Sequence, residues 1–187
     1  QSWELYLAQG NIKKATDSGL NIFLIHGNRD FLLGSRFEEM TGIQIIDDMT
    51  IIEDKFCKIM VSHGDVFCTD DVEYQNLKKT LRSEEWIESF LSKPIEERID
   101  FAKQLRSQSA ESSSNKAENI MDVNADYVDE VIGKNNLDLL IHGHTHRPAI
   151  HKLDSGASRA VLGSWENNEG WIIEYKQGNI DLKSFPL

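Results

Sequence analysis

Apolar positions along the chain fall into two patterns. The first is the short run that stops at a glycine beside a histidine. Leu20 to His26 (LNIFLIH) is the clearest, and reads as a strand buried on both faces. Phe56 to His63 (FCKIMVSH) and Leu137 to His142 (LDLLIH) predict two more apolar strands, and Ile43 to Ile46 and Met49 to Ile52 two short ones around Asp47 and Asp48. The second pattern is helical. It covers Gln1 to Gly19, with Leu5, Leu7, Ile12 and Ala15 as apolar positions, and the short stretch Phe31 to Met40. From Asp71 to Arg106, Leu77, Leu81, Ile87, Phe90, Leu91, Ile95, Ile99, Ala102 and Leu105 recur at three- and four-residue steps. Pro94 is expected to open a new helix within that stretch.

Ser107 to Lys116 (SQSAESSSNK) reads as a loop, followed by a helix from about Ala117 to Ile132. Asn115, three residues before Glu118, resembles a helix cap, which would put Lys116 in the first turn. That segment is either a flexible linker or an anion site at a helix N-terminus. Three strands close the chain, at Arg159 to Trp165, Gly170 to Lys176 and Asn179 to Phe185, with a hairpin turn at Gln177-Gly178-Asn179. The order predicts one α/β domain over residues 1–187, with two packed sheets.

Charge and composition narrow the partners. Of 187 residues, 20 are Lys or Arg and 31 are Asp or Glu, a net charge of −11. That balance argues against nucleic acid as a partner, which needs a basic surface. No apolar run approaches the roughly 20 residues that span a membrane. Two cysteines, Cys57 and Cys68, form no disulfide framework and point to a reducing compartment. Asn76 to Arg106 carries seven basic and six acidic residues, so it departs from the acidity of the rest. It is either an amphipathic hairpin packed on the core or a substrate cap with an apolar face.

Candidate chemistry sits at the strand ends. The clusters are His26-Gly27-Asn28-Arg29-Asp30, His63-Gly64-Asp65 and His142-Gly143-His144-Thr145-His146. Ligands of α/β sheets bind at such ends. Imidazoles with an amide oxygen suit a divalent transition metal. In an extended segment His144 and His146 would point to one side and reach one metal or two neighbouring ones. Asp30 and Asp65 either orient histidine ligands or cap turns. His26 and His142 are expected to pack or hydrogen-bond near the site, His151 to be an ordinary histidine, and the cysteines to pack.

GNRD, HGD and GHTHRP, in this order, resemble the calcineurin-like metallophosphoesterases. IHGNRDFLLG, HGDVFCTDD with Tyr74 after it, the serine-rich stretch running to NIMDVN, IHGHTHRPAIH and VLGSWENNEG are similar, more narrowly, to the members that act on UDP-2,3-diacylglucosamine in lipid A synthesis. The resemblance covers essentially the whole chain. It implies a two-sheet sandwich flanked by helices, with a helical cap inserted at about 71–116. It implies two Mn2+ ions, with Asn28, His63 and His144 on one and His146 on the other. Substrate contacts would come from Asn28, Arg29, Asp71, Tyr74, Ser109, Ser113, Lys116 and His144, with catalytic roles for Arg29 and His144.

The implied reaction is hydrolysis of the pyrophosphate to UMP and a diacylglucosamine 1-phosphate by metal-activated hydroxide. The implied location is the cytoplasmic face of the inner membrane, with peripheral lipid contact. Trp86, Ile87, Phe90, Leu91 and Ile95 would hold acyl chains. Many relatives have His where Arg29 stands; Arg cannot protonate a leaving group at physiological pH, which suits a phosphate that departs without a proton. The family's Asp-x-His and Gly-Asp strand ends do not occur before Gly27, so the chain is expected to be a piece lacking the N-terminal part of the site. Two alternatives stand beside this reading: a phosphoesterase for another nucleotide diphosphate or phosphodiester, and a metal-poor scaffold of the same fold.

Overall fold

A computed structural model describes residues 2–115 and 122–187, with side chains over 9–108 and 122–187. Helix α1 (Ser2–Asp17) leads to strand β1 (Phe23–Leu24), helix α2 (Ser35–Thr41) and strand β2 (Gln44–Ile45). Strands β3 (Thr50–Glu53) and β4 (Lys58–Ser62) precede a 3-10 turn at Asp65–Phe67 and the helices α3 (Val72–Leu81), α4 (Glu84–Leu91) and α5 (Ile95–Asn115). Helix α6 (Ala125–Asn135) feeds β5 (Leu139–His142), β6 (Ala149–Lys152) and β7 (Ser158–Val161), followed by β8 (Glu169–Lys176) and β9 (Asn179–Pro186).

The central sheet has the order β3-β4-β5-β7-β6. Strands β4, β5 and β7 run parallel at its centre, with antiparallel β3 and β6 at the edges. Parallel strands need cover on both faces, which is why they read as continuous apolar runs. Alternate residues supply it. Met60 and Leu140 join Phe67, Val128, Val131 and Ile132 under α6. Ile59 and Leu139 join Cys57 and Ala160 on the opposite face, where Ile173, Tyr175 and Ile180 of the β8–β9 hairpin pack. The result is a mixed α/β architecture, a central sheet flanked by helices. The hairpin turns through Gln177 and Gly178 at φ 50° and 85°, the left-handed pair that matches strand twist.

Three sequence expectations need correction. LNIFLIH is not buried on both faces: β1 spans two residues and pairs, among the described residues, with β2 alone. Leu20 and Phe23 are 59% and 55% exposed. Ile22, Leu24 and Ile25 are half-buried, so the run's apolarity exceeds what its neighbours cover. Second, the serine-rich stretch is helical as far as Asn115. Serine costs only about 0.5 kcal/mol relative to alanine in a helix already nucleated, and the Ser107 hydroxyl donates to the Lys103 carbonyl at 3.2 Å. Third, the following helix begins at Ala125, where Asn124 Oδ1 accepts from the Tyr127 N–H at 3.0 Å. Lys116 and Glu118 lie outside the described residues, and with them the expected cap and anion site.

Candidate metal centre

Strands β4 and β5 are parallel neighbours with Ser62 opposite His142, so His63 and His144 leave from the same sheet edge. Gly143 N–H donates to the His63 carbonyl at 3.0 Å and carries the ladder past the strand ends. Gly64 turns the chain at φ 110°, and a Cβ there would lie 2.8 Å from His142 Nδ1 and 2.9 Å from the Gly143 oxygen. Only glycine fits both the conformation and the space. Asp48, which the sequence pattern did not single out, accepts from the Ser62 hydroxyl at 2.7 Å and from the Met49 and His63 N–H groups at 2.9 Å. It pins the end of β4.

Asn28 reaches this edge from the loop after β1. Its Oδ1 lies 3.2 Å from His63 Nε2, and its amide nitrogen lies 3.3 Å from His144 Nδ1. The two rings meet edge to face, 5.0 Å between centroids. Ligand atoms at about 2.1 Å from one ion stand roughly 3.0–3.5 Å apart, so the 3.2 Å between Asn28 Oδ1 and His63 Nε2 fits a shared divalent cation, with the His144 ring beside them. Burial pushes the His63 imidazole down and takes His144 down to about 4. Both are therefore neutral at pH 7, the form that binds metal. Among the described residues no three His, Cys, Asp or Glu side chains form a metal-binding group; the side chains that meet at this edge are Asn28, His63 and His144.

The argument from an extended segment fails at His146. His144 and His146 both have left-handed backbone, φ 64° and 54°, and Thr145 N–H turns back onto the Gly143 carbonyl at 2.8 Å. His144 joins Asn28 and His63, while His146 is exposed and makes no hydrogen bond to them. Non-glycine residues held in this region carry about 1–3 kcal/mol of strain each, which clusters at functional sites.

Beneath the donors lies a charged group that the sequence suggested only in part. Asp65 is 0% exposed. It accepts from Lys78 Nζ at 2.7 Å and Tyr74 OH at 2.6 Å, with an Arg82 nitrogen at 3.7 Å. Burial pushes its carboxyl up, but the bonds from Lys78 and Tyr74 outweigh that and hold it below the ordinary range. Tyr74 OH is also 2.5 Å from Asn28 Oδ1. Arg82 donates to the Gly27 carbonyl at 3.0 Å, anchoring the Asn28 loop. Sequence reasoning missed Lys78 and Arg82. Their signal was the four-residue spacing from Tyr74, which places all three on one face of α3 and its C-terminal cap.

The other candidates are placed as follows. Arg29 is exposed and forms no ion pair among the described residues. Asp71 caps α3 by accepting from Tyr74 N–H at 3.1 Å. Asp30 caps its own turn, accepting from Gly27 N–H at 2.5 Å, rather than orienting a histidine. The backbones of Ser109 and Ser113 lie in α5, their side chains beyond the described set. His26 Nε2 bonds the Leu33 carbonyl at 2.8 Å. His142 donates from Nδ1 to the Gly143 carbonyl at 2.9 Å and accepts from Arg159 at 3.3 Å. Cys68 is buried and its thiol is pushed up to about 12, so it is inert at neutral pH.

His142 gives a pH prediction. Burial takes it down to about 4 in the folded chain, against about 6.5 unfolded. Between those values the unfolded state binds the extra proton, so stability rises with pH across that window. The urea midpoint is expected to fall as pH drops from 6.5 to 4, and less steeply in His142→Gln.

Next to the Asn28 loop, Trp86 stacks on Phe90 at 4.6 Å, Phe101 lies 5.3 Å from Phe90, and Phe31 of that loop lies 6.4 Å from Trp86. Phe90 is thus buried, at 7% exposure, in the cluster of α4 and α5, while Leu91, Ile95 and Ile99 are 45%, 60% and 48% exposed.

Comparison with known proteins gives the family of the chain. The calcineurin-like phosphoesterase family profile matches residues 1–148. A Marinobacter nauticus protein named UDP-2,3-diacylglucosamine hydrolase is 40% identical over 179 residues, 94% of this chain and 73% of that one. A protein of the same name from Pectobacterium carotovorum is 40% identical over 172 residues, covering 90% of this chain and 71% of its own. The solved structure of an archaeal phosphodiesterase aligns over 94% of this chain and 74% of its own, with a TM-score of 0.47 at 14% identity. With the family profile over most of its length and relatives at this identity, the chain belongs to the calcineurin-like phosphoesterases, a family of metal-dependent hydrolases.

Proposed function

We propose that this protein splits the pyrophosphate of UDP-2,3-diacylglucosamine into UMP and 2,3-diacylglucosamine 1-phosphate, a step of lipid A synthesis. The observation that carries the reading is the convergence of Asn28, His63 and His144 at one sheet edge, beside helices with exposed aliphatic side chains. The names of the relatives support the substrate.

Asn28, His63 and His144 would hold one divalent ion, and His146 would serve a second; we propose Mn2+ for both. When bound, such ions supply Lewis-acid activation of water and neutralise phosphoryl charge. Arg29 adds a permanent charge for the diphosphate. Asp71, Tyr74, Ser109, Ser113 and Lys116 complete the proposed substrate contacts. Acyl contact falls on exposed Leu91, Ile95 and Ile99 rather than on buried Phe90. A substrate that joins a nucleotide to two acyl chains supports a peripheral position at the cytoplasmic face of the inner membrane.

Arg29 makes a testable difference. It holds charge but donates no proton to a leaving alkoxide. General-acid catalysis contributes about 10²–10⁴-fold where it operates. UDP-2,3-diacylglucosamine is therefore expected to outrun an alkyl phosphodiester of UMP by about 100-fold or more in UMP release. Equal turnover of the two would contradict the role given to Arg29 and favour a general phosphodiesterase.

A further inference from the structure

We infer that Lys78 of helix α3 and Arg82 at its C-terminal cap are positioning residues for the metal ligand Asn28, acting through Asp65, Tyr74 and the Gly27 carbonyl. The inference rests on reading Asn28, His63 and His144 as a metal site. Two anchors act on Asn28. Arg82 holds its loop by the backbone, through the bond to the Gly27 oxygen at 3.0 Å. Tyr74 holds its side chain, with the phenolic oxygen 2.5 Å from Oδ1. Tyr74 is itself fixed by Asp65 at 2.6 Å, and Asp65 by Lys78 at 2.7 Å.

The order of these contacts follows from the number of protons. A phenol has one, and Tyr74 has two oxygen neighbours. Bonds to a carboxylate are roughly twice as strong as bonds to a neutral amide, and Asp65 is a buried carboxylate flanked by two cations. The bond to Asp65 therefore anchors the hydroxyl and fixes the phenolic oxygen beside Asn28 Oδ1. Meanwhile the Tyr74 ring, 5.7 Å from that of His144, walls the amide in place. Because α3 adjoins α4, with which it shares contacts, the helices beside the site are tied to the metal ligand.

Outer partners of metal ligands typically alter affinity by about 10–100-fold when removed. The test is Mn2+ binding to the protein by titration calorimetry, without substrate, with circular dichroism to establish folding. Lys78→Met and Arg82→Met are each expected to weaken Mn2+ binding about tenfold or more, and Lys78→Arg to restore it to within a few-fold. Tyr74→Phe, which removes one oxygen and keeps the ring, is expected to weaken it in the same direction and decides the matter where a methionine variant does not fold. Folded variants that bind Mn2+ as tightly as the parent would overturn the inference while leaving the metal reading standing. A folded parent that binds no Mn2+ would overturn both.

Discussion

Alanine at His63 or His144 is expected to lower kcat/KM about a thousandfold or more while the fold stays intact. The two imidazoles and Asn28 converge at the sheet edge, with the Asn28 amide 3.2 Å from one ring and 3.3 Å from the other. A bound cation lowers the barrier by several kcal/mol through water activation and charge neutralisation, and each 1.4 kcal/mol is a factor of ten. Neither histidine belongs to the two hydrophobic clusters that hold the sheet, so neither truncation opens the core. His142→Ala is the informative contrast. That side chain is 1% exposed and bonded to Gly143 and Arg159, so its loss should lower the thermal midpoint more than those of the other two. Steady-state kinetics and Mn2+ content per chain separate the cases. A His144→Ala protein that keeps activity within tenfold of the parent would remove that residue from the site.

Asp65→Ala is expected to cost about 3–5 kcal/mol of stability, because it strands Lys78 and Arg82 beside a buried cavity with no counter-charge. The Asp65 side chain has 0% exposure, against 17% and 24% for those two cations. Lys78→Met in the Asp65→Ala background should recover part of the loss, since it removes one uncompensated charge. The pH dependence has a definite sign. The folded carboxyl lies below its ordinary value, so its contribution is present above the unfolded pKa of about 4 and is lost as pH falls through the folded value. Urea unfolding at pH 7 and pH 3 should show a smaller gap between parent and Asp65→Ala at the lower pH. A loss below 1 kcal/mol at pH 7 would contradict the role of Asp65 as the buried hub.

The strands of the sheet centre and the residues at their ends could be read from the sequence because both depend on local pattern. FCKIMVSH and LDLLIH are apolar on both faces, and both faces are covered. A glycine after each histidine marked the turn that brings Asn28, His63 and His144 to one edge. What could not be read depended on distant partners or on a backbone course that composition does not set. LNIFLIH has the same composition as the buried strands, yet Phe23 stays exposed, since coverage belongs to neighbours rather than to the run. The serine-rich stretch has the composition of a loop, but it continues a helix that had already nucleated. Period-two geometry for His144 and His146 failed because a turn at positive φ replaced the extended backbone it assumed. Asp48, Lys78 and Arg82 looked like ordinary surface charges; they became visible only when the fold set them against Ser62, Asp65 and Gly27.

The central claim is that a divalent cation held by Asn28, His63 and His144 serves hydrolysis of an acylated UDP-sugar. It is tested most directly by following UMP release from UDP-2,3-diacylglucosamine with and without Mn2+, beside the same UDP-sugar lacking its acyl chains. The account predicts Mn2+-dependent release of UMP that is strong with the diacyl substrate and weak without the chains. Release that ignores both the cation and the acyl chains would contradict it.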